Sequence, residues 1–390
     1  MVHLVKICCV IGSAIFVFLH ANTAQAQSKM PVAGLDGVGI NSAVMWSANG
    51  RPSPRFPESY LKHFKPLEKY GFSNVVLVSC ADWIIEQSCK KPFQNRDEII
   101  TAVRLLLDNT NLHVTLSLKG YKQIKFKKKN IQVFQQRLEK ERAVQNAFVD
   151  AWAGFAKELH DVPRERLSFA LLNEPEFELP KPTNAKRKKW EAIASRAIEG
   201  IRSVSPDRVI IYEGIAKSTV FRRWKKSGKL KYKFSTLIRK LPFKDIVYGI
   251  HTYEPEAFLQ QANNRFGSWG RPYGKSYRRL VKANADRLLS WAKKYRVPVM
   301  VAETGCVSYV EGREGPANPD DCGKFAADIY RYYVKRGIPV VWWGLEKEKT
   351  IFQRAATDCT SYTNKYCDTW VPLSREPDPA LFKGLRLKAD

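Results

Sequence analysis

The sequence predicts a single-domain α/β fold closed into a (β/α)8 barrel, the TIM-barrel class. Between Gly37 and Trp343, short β-branched apolar runs alternate with longer helical patterns, the mark of a parallel sheet covered by helices. Eight strand-then-helix units fall within about 310 residues, which suits a barrel of typically about 250 residues with insertions. No Ser/Gly linker and no internal repeat divides this stretch.

Eight segments read as strands: Val38–Asn41, Asn74–Val78, His113–Leu118, Ser168–Leu172, Arg208–Tyr212, Ile246–Ile250, Val297–Val301 and Val340–Trp343. The clearest predicted helices are Glu139–Leu159, with Val144, Phe148, Trp152 and Phe155 at helical spacing, Asn184–Val204, Tyr277–Tyr295 and Cys322–Arg336. A doubly wound open sheet that binds a dinucleotide would carry a Gly-rich phosphate turn after its first strand. Here Gly37-Val38-Gly39-Ile40-Asn41 continues as a strand instead.

Lys6, an apolar stretch from Ile7 to Leu19, and Ala24-Gln25-Ala26 match the three regions of a secretory signal peptide. Residues 1–26 are therefore expected to be cleaved, leaving 27–390 as one secreted or periplasmic domain. The apolar run is shorter than the roughly 20 residues a membrane span needs, so no stable membrane insertion is expected. Of the eight cysteines, Cys8 and Cys9 leave with this segment. Cys80, Cys89, Cys306, Cys322, Cys359 and Cys367 remain, an even set compatible with disulfides in an exported chain. Sequence does not choose among the pairings; nearest-neighbour pairing would staple one short loop each. Zinc-type spacing is absent, since no two of these cysteines lie two to four residues apart and no histidine pair accompanies them. No metal and no cofactor are expected. The formal net charge of +27 is too large for a neutral surface and points to an acidic partner: nucleic acid, anionic lipid or anionic polysaccharide.

Barrel enzymes carry their catalytic groups where strands end at the C-terminal face, so the residues following each apolar run matter most. The fourth run ends Leu171-Leu172-Asn173-Glu174-Pro175 and the seventh ends Val301-Ala302-Glu303-Thr304-Gly305. Two carboxylates on opposite sides of one barrel mouth can flank a glycosidic bond, one protonating the leaving oxygen and the other attacking the anomeric carbon. An ionised carboxylate nearby also favours the protonated form that Glu174 needs as an acid.

Asn173-Glu174-Pro175, His251-Thr252-Tyr253 after the sixth strand, Glu303-Thr304-Gly305 and Trp343 in the eighth resemble, in order and across the mature chain, glycoside hydrolase family 5 of the cellulase-like barrels. The resemblance implies a retaining β-glycosidase acting on a polysaccharide. It implies Glu174 as acid/base, Glu303 as nucleophile, Asn173 at the sugar 2-hydroxyl, Tyr253 holding Glu303, His251 lining the site and Trp343 stacking under the sugar. Two family features are missing. The arginine expected near the end of the second strand is matched by Val75-Val76-Leu77, and the histidines expected after the third by Ser117-Leu118-Lys119-Gly120. Lys119 is the nearest cation to take the arginine's part. These departures also admit a second reading, a secreted polysaccharide-binding protein on the same barrel with impaired catalysis.

Basic residues cluster after the third strand (Lys122, Lys125, Lys127, Lys128, Lys129), after the fourth (Lys181, Lys186, Arg187, Lys188, Lys189) and after the fifth (Arg222, Arg223, Lys225, Lys226, Lys229, Lys231, Lys233). In a barrel all three follow strands onto the catalytic face, which suits a cleft for an anionic polysaccharide. Phe126, Trp224 and Tyr232 interleave with them, and Trp46 and Trp269 are further aromatic platforms. The same mixture fits nucleic acid; export and the paired glutamates argue against it. The chain is expected to act as a monomer.

Overall fold

A computed structural model of the protein describes residues 30, 32–42, 58–86, 95–126, 129–175, 183–215, 220–224, 230–234, 238–259, 272–306, 309–310, 313–314, 319–344 and 377–388. The eight strands are β1 (Val38–Ser42), β2 (Asn74–Cys80), β3 (His113–Lys119), β4 (Leu167–Ala170), β5 (Val209–Glu213), β6 (Ile246–His251), β7 (Val299–Thr304) and β8 (Val340–Trp343). They close into one barrel, each strand parallel to its neighbours in the sequence, with β8 returning to pair β1 through Val38↔Val340 and Asn41↔Trp343.

Alternation along each strand sorts side chains between two cores, because successive residues point to opposite faces. Val76, Val78, Ala170, Val209, Ile211, Val247, Met300 and Val341 fill the barrel interior. Val75, Leu77, Val114, Leu116, Ile210, Val299 and Val301 face outward and pack under the helices. The larger helices are α1 (Glu58–Lys69), α2 (Arg96–Asn109), α3 (Arg142–Glu158), α4 (Asn184–Arg202), α5 (Lys275–Tyr295), α6 (Pro319–Tyr332) and α7 (Pro379–Leu385). Val144, Phe148, Trp152 and Phe155 form the buried stripe of α3. The last helix, which apolar spacing did not reveal, seals the wall against α6. There a Cβ on Gly384 would lie 2.5 Å from the Gly323 carbonyl oxygen, so only glycine permits this approach.

Three elements differ from expectation. The predicted helix from Glu139 is two helices, Val133–Lys140 and α3, because Glu141 is extended (φ −104°, ψ 117°) between them, its carboxylate paired to Arg137 at 2.8 Å. β4 stops at Ala170, short of Leu172. No helix links β5 to β6 among the described residues. In its place stands an antiparallel hairpin, Val220–Trp224 against Leu230–Phe234, with Arg222 opposite Tyr232 and Trp224 opposite Leu230. Leu230-Lys231-Tyr232-Lys233-Phe234 alternates with period two, a strand pattern read in the sequence only as a basic cluster.

Cys306 is bonded to Cys322 across the β7–α6 link, as nearest-neighbour pairing expects. Cys80 is also disulfide-bonded, its partner lying outside the described residues, as do Cys359 and Cys367. Residues 1–26 lie outside them too; among the described residues no helix is long and apolar enough to cross a membrane.

At the N-terminal end of the barrel, His113 has Nδ1 2.8 Å from the Glu165 carbonyl oxygen and Nε2 2.9 Å from Ser168 Oγ. Burial pushes its pKa down to about 4, the Glu165 carbonyl opposing and Arg166 and Arg208 adding to the fall. The unfolded chain, at an ordinary histidine value, takes up this proton first. The fold therefore has its full His113 contribution above about pH 6.5 and loses it as pH falls to about 4, on the order of 3 kcal/mol in all. Urea midpoints measured at pH 7, 5.5 and 4 are expected to fall less steeply for His113→Gln; identical slopes would contradict this.

Candidate active site

Strand ends bring the site together. β4 runs out into Leu171 and Leu172, whose burial anchors the turn, and Asn173 and Glu174 follow at the mouth. Glu174 has φ 48°, a left-handed conformation that disfavours a side chain. Its N–H donates to Glu213 Oε2 at 2.9 Å, and its carbonyl accepts from Gln135 Nε2 at 3.0 Å. Gln135 also donates to Gln132 Oε1 at 2.7 Å.

Glu303 reaches the site by an irregularity. Met300 and Ala302 face the barrel interior, so strict alternation would turn the next residue outward. The register with β6 shifts between Ile250 and His251, setting His251 opposite Glu303, and the register with β8 shifts between Val301 and Thr304. Such bulges re-aim side chains beside active sites. Glu303 is only 4% exposed. Tyr253 donates its hydroxyl to Glu303 Oε1, and Asn173 Nδ2 lies 3.4 Å from Oε2.

His251, 3% exposed, sits among three carboxylates. Nδ1 is 3.1 Å from Glu174 Oε1 and 3.6 Å from Glu303 Oε2, and Nε2 is 3.1 Å from Glu213 Oε2. Burial alone would push the imidazole pKa down, but Glu213, Glu303 and Glu174 together hold it well above the ordinary histidine value. The surrounding carboxylates thus favour the protonated ring. Oxygens of Glu174 and Glu303 and a nitrogen of His251 all lie within 4.8 Å of one another, within reach of one metal ion. A protonated imidazole has no lone pair to offer such an ion.

The cation expected from Lys119 is present, though not beside Glu303: its Nζ lies 5.5 Å from the centroid of the Trp343 ring. Val76, matched to the arginine that the resemblance expects, is buried in the barrel interior; β2 continues past it to Cys80, which is level with Lys119.

The structure therefore gathers Asn173, Glu174, His251, Tyr253 and Glu303 into one group of hydrogen bonds and close charged contacts and sets Lys119 against Trp343. Trp46 and Trp269 lie outside the described residues, and Trp224 is placed only by its backbone in the hairpin. Of the basic cluster opening α4, Arg187 is buried and ion-paired to Glu191, so it is part of the helix packing and not a solvent-facing charge. Sequence reading missed Glu213 and Gln135. Glu213 was within reach of the rule that found Glu174, for it directly follows the apolar run Val209-Ile210-Ile211-Tyr212. Gln135 carried no such signal.

A closed parallel barrel with two glutamates from different strand ends meeting at its mouth defines the class, a barrel glycoside hydrolase domain. Residues 95–349 match the family described as Cellulase (glycosyl hydrolase family 5), and the chain belongs to that family. Endoglucanase 3 of Fibrobacter succinogenes is 36% identical over 122 residues, covering 31% of this chain and 15% of that protein. Endoglucanase A of Clostridium longisporum is 25% identical over 217 residues, covering 52% of this chain and 37% of that protein. The match thus spans well under half the length of either relative. The barrel is shared with solved structures. A GH5-4 broad specificity endoglucanase from C. longisporum aligns with TM-score 0.64 at 16% identity over 93% of this chain and 99% of that one. Thermotoga maritima Cel5A in complex with mannotriose aligns with TM-score 0.64 at 17% identity over 90% and 98%.

Proposed function

We propose that the chain is a retaining glycoside hydrolase that cleaves β-glycosidic bonds of a polysaccharide, with Glu303 as nucleophile and Glu174 as acid/base. The observation that carries this reading is the approach of the two glutamates, an oxygen of each within 4.8 Å of the other. Carboxyl groups about 5–5.5 Å apart suit a double displacement, whereas about 6.5–9.5 Å leaves room for the water of an inverting reaction. Glu303 attacks the anomeric carbon while Glu174 gives its proton to the departing glycosidic oxygen. Glu174, now a base, takes a proton from the water that attacks the glycosyl-enzyme ester, and both carboxyl groups return to their starting states. The imidazolium of His251 offsets negative charge on both. A pure binding protein has no use for so specific a set of contacts on two carboxylates, which favours catalysis over the binding-only reading.

The relatives are named as endoglucanases, and one neighbour was solved with mannotriose; a β-linked glucan or mannan backbone fits both. We propose further that the natural polymer is anionic. Lys119 places a cation over the Trp343 ring at the site, and the chain carries +27 overall. In this reading the enzyme works outside the cytoplasm, supported by the leader-like N-terminus and the Cys306–Cys322 disulfide. Reducing-end release from a panel of neutral and carboxylated β-glucans and β-mannans tests the assignment. Lys119→Ala is expected to raise KM on the carboxylated polymers about 10- to 100-fold, the worth of a charge-assisted contact, with a much smaller change on neutral ones. Equal losses on both would remove Lys119 from any role in reading charge.

A further inference from the structure

Glu213 lies at the end of β5, and neither the paired-carboxylate mechanism nor the family resemblance gives it a task. It is nonetheless built into the site with care. Its side chain is only 8% exposed. One oxygen, Oε2, receives the Glu174 N–H at 2.9 Å and lies 3.1 Å from His251 Nε2. Its backbone carbonyl accepts from the indole of buried Trp190 at 2.8 Å. On β6 the residue level with it is Gly249, where a Cβ would come within 3.2 Å of Glu213 Cγ. Glycine there leaves the room that the glutamate fills.

Two consequences follow from this one oxygen. First, Glu174 stands in the left-handed region, where its Cβ crowds the carbonyl oxygen that follows. The conformation persists because both peptide groups flanking its Cα are tied, the N–H to Glu213 and the carbonyl to Gln135. Second, among the described residues no arginine stands beside Glu303, whose charged neighbour there is His251 at 3.6 Å. A buried imidazole is a cation only while carboxylates surround it. Those facing His251 are Glu174 from the end of β4, Glu303 from β7 and Glu213 from β5, with Tyr253 approaching through Glu303. Glu174 and Glu303 change their proton or covalent state during the proposed reaction; Glu213 does not. Its carboxylate takes part in neither step.

We propose that Glu213 is a positioning residue that fixes the acid/base peptide and keeps His251 positively charged through the catalytic cycle, a substitute for the missing arginine. The inference rests on the assignment of Glu174 and Glu303 made above.

The test compares the full-length wild type with Glu213→Gln and Glu303→Gln on a soluble β-1,4-glucan and on an aryl β-cellobioside. Glutamine keeps the shape and an acceptor for the Glu174 N–H but deletes the charge. Glu213→Gln is expected to lower kcat about 10- to 100-fold, the effect of misplaced or mischarged machinery, with KM little changed. The alkaline limb of its kcat profile is expected to move to lower pH by about one unit, as His251 gives up its proton more readily. A lowered Tm with an unchanged pH profile would make Glu213 merely structural and overturn the proposal, as would wild-type kcat. Should the variant not fold, 15N-histidine spectra of the wild type decide. The His251 ring, assigned by its absence in His251→Gln, is expected to remain an imidazolium at pH 8, and a neutral ring at pH 7 would overturn the proposal. If Glu303→Gln turns over normally, the underlying assignment fails; if it is inactive while Glu213→Gln is unaffected, only this inference fails.

Discussion

Glu303→Gln is expected to abolish glycan hydrolysis, lowering kcat by roughly 10^4- to 10^6-fold, the scale seen when a covalent nucleophile is removed. The amide fits the same volume and still accepts from the Tyr253 hydroxyl, so the fold and sugar binding survive while the attacking atom is gone. Glu303→Ala separates this loss from general damage. It opens a space beside the anomeric carbon that azide can enter, and one displacement on a β-glycoside with a good leaving group then yields the α-glycosyl azide. Recovery of that product at millimolar azide marks Glu303 as the nucleophile. A β-azide, or undiminished hydrolysis in either variant, would sink the assignment.

Glu174→Gln is expected to act through the leaving group. A sugar alkoxide departs poorly without a proton, so turnover of polysaccharide falls about 10²- to 10⁴-fold, the usual worth of a general acid. A dinitrophenyl β-glycoside needs no protonation to leave. The first step with that substrate stays fast, and a burst of one equivalent of phenolate precedes slow hydrolysis of the glycosyl-enzyme, because no base remains to activate water. Equal losses on both substrates, with no burst, would move Glu174 out of the acid/base role. In this protein the variant also probes the tether around it. The backbone contacts to Glu213 and Gln135 do not involve the Glu174 side chain, so the Glu174→Gln variant is expected to keep the left-handed turn and a wild-type Tm.

Both residues were legible because catalytic groups in a barrel follow apolar strands, and strands announce themselves by composition. Val299-Met300-Val301-Ala302 and Ser168-Phe169-Ala170 read as strands without any structure, and the acids that follow them stand in plain sight. The same reading fell short at strand ends and in patterned loops. The second strand was read as ending at Val78, whereas β2 runs on through Ser79 to Cys80. The basic stretch around Trp224 looked like a charged loop because its charges drew attention from its alternation, and it is a hairpin.

By itself the sequence determined the period of its apolar residues, and with it the eight parallel strands, the two-sided core and the order in which Glu174, His251, Tyr253, Glu303 and Trp343 arrive at one face. These follow from local chemistry, since burial selects side chains two apart on a strand and three or four apart on a helix. Tertiary structure alone decided which way Glu303 points, because the bulge that turns it inward exists only in the pairing of β7 with β6 and β8. It alone decided which charges face His251. Burial by itself would favour the neutral ring, and only closure of the barrel brings carboxylates from β5, β7 and the end of β4 to between 3.1 and 3.6 Å of one imidazole. Alternation is written along the chain; the charge of a buried group is set by neighbours that the chain supplies from as far as 77 residues away.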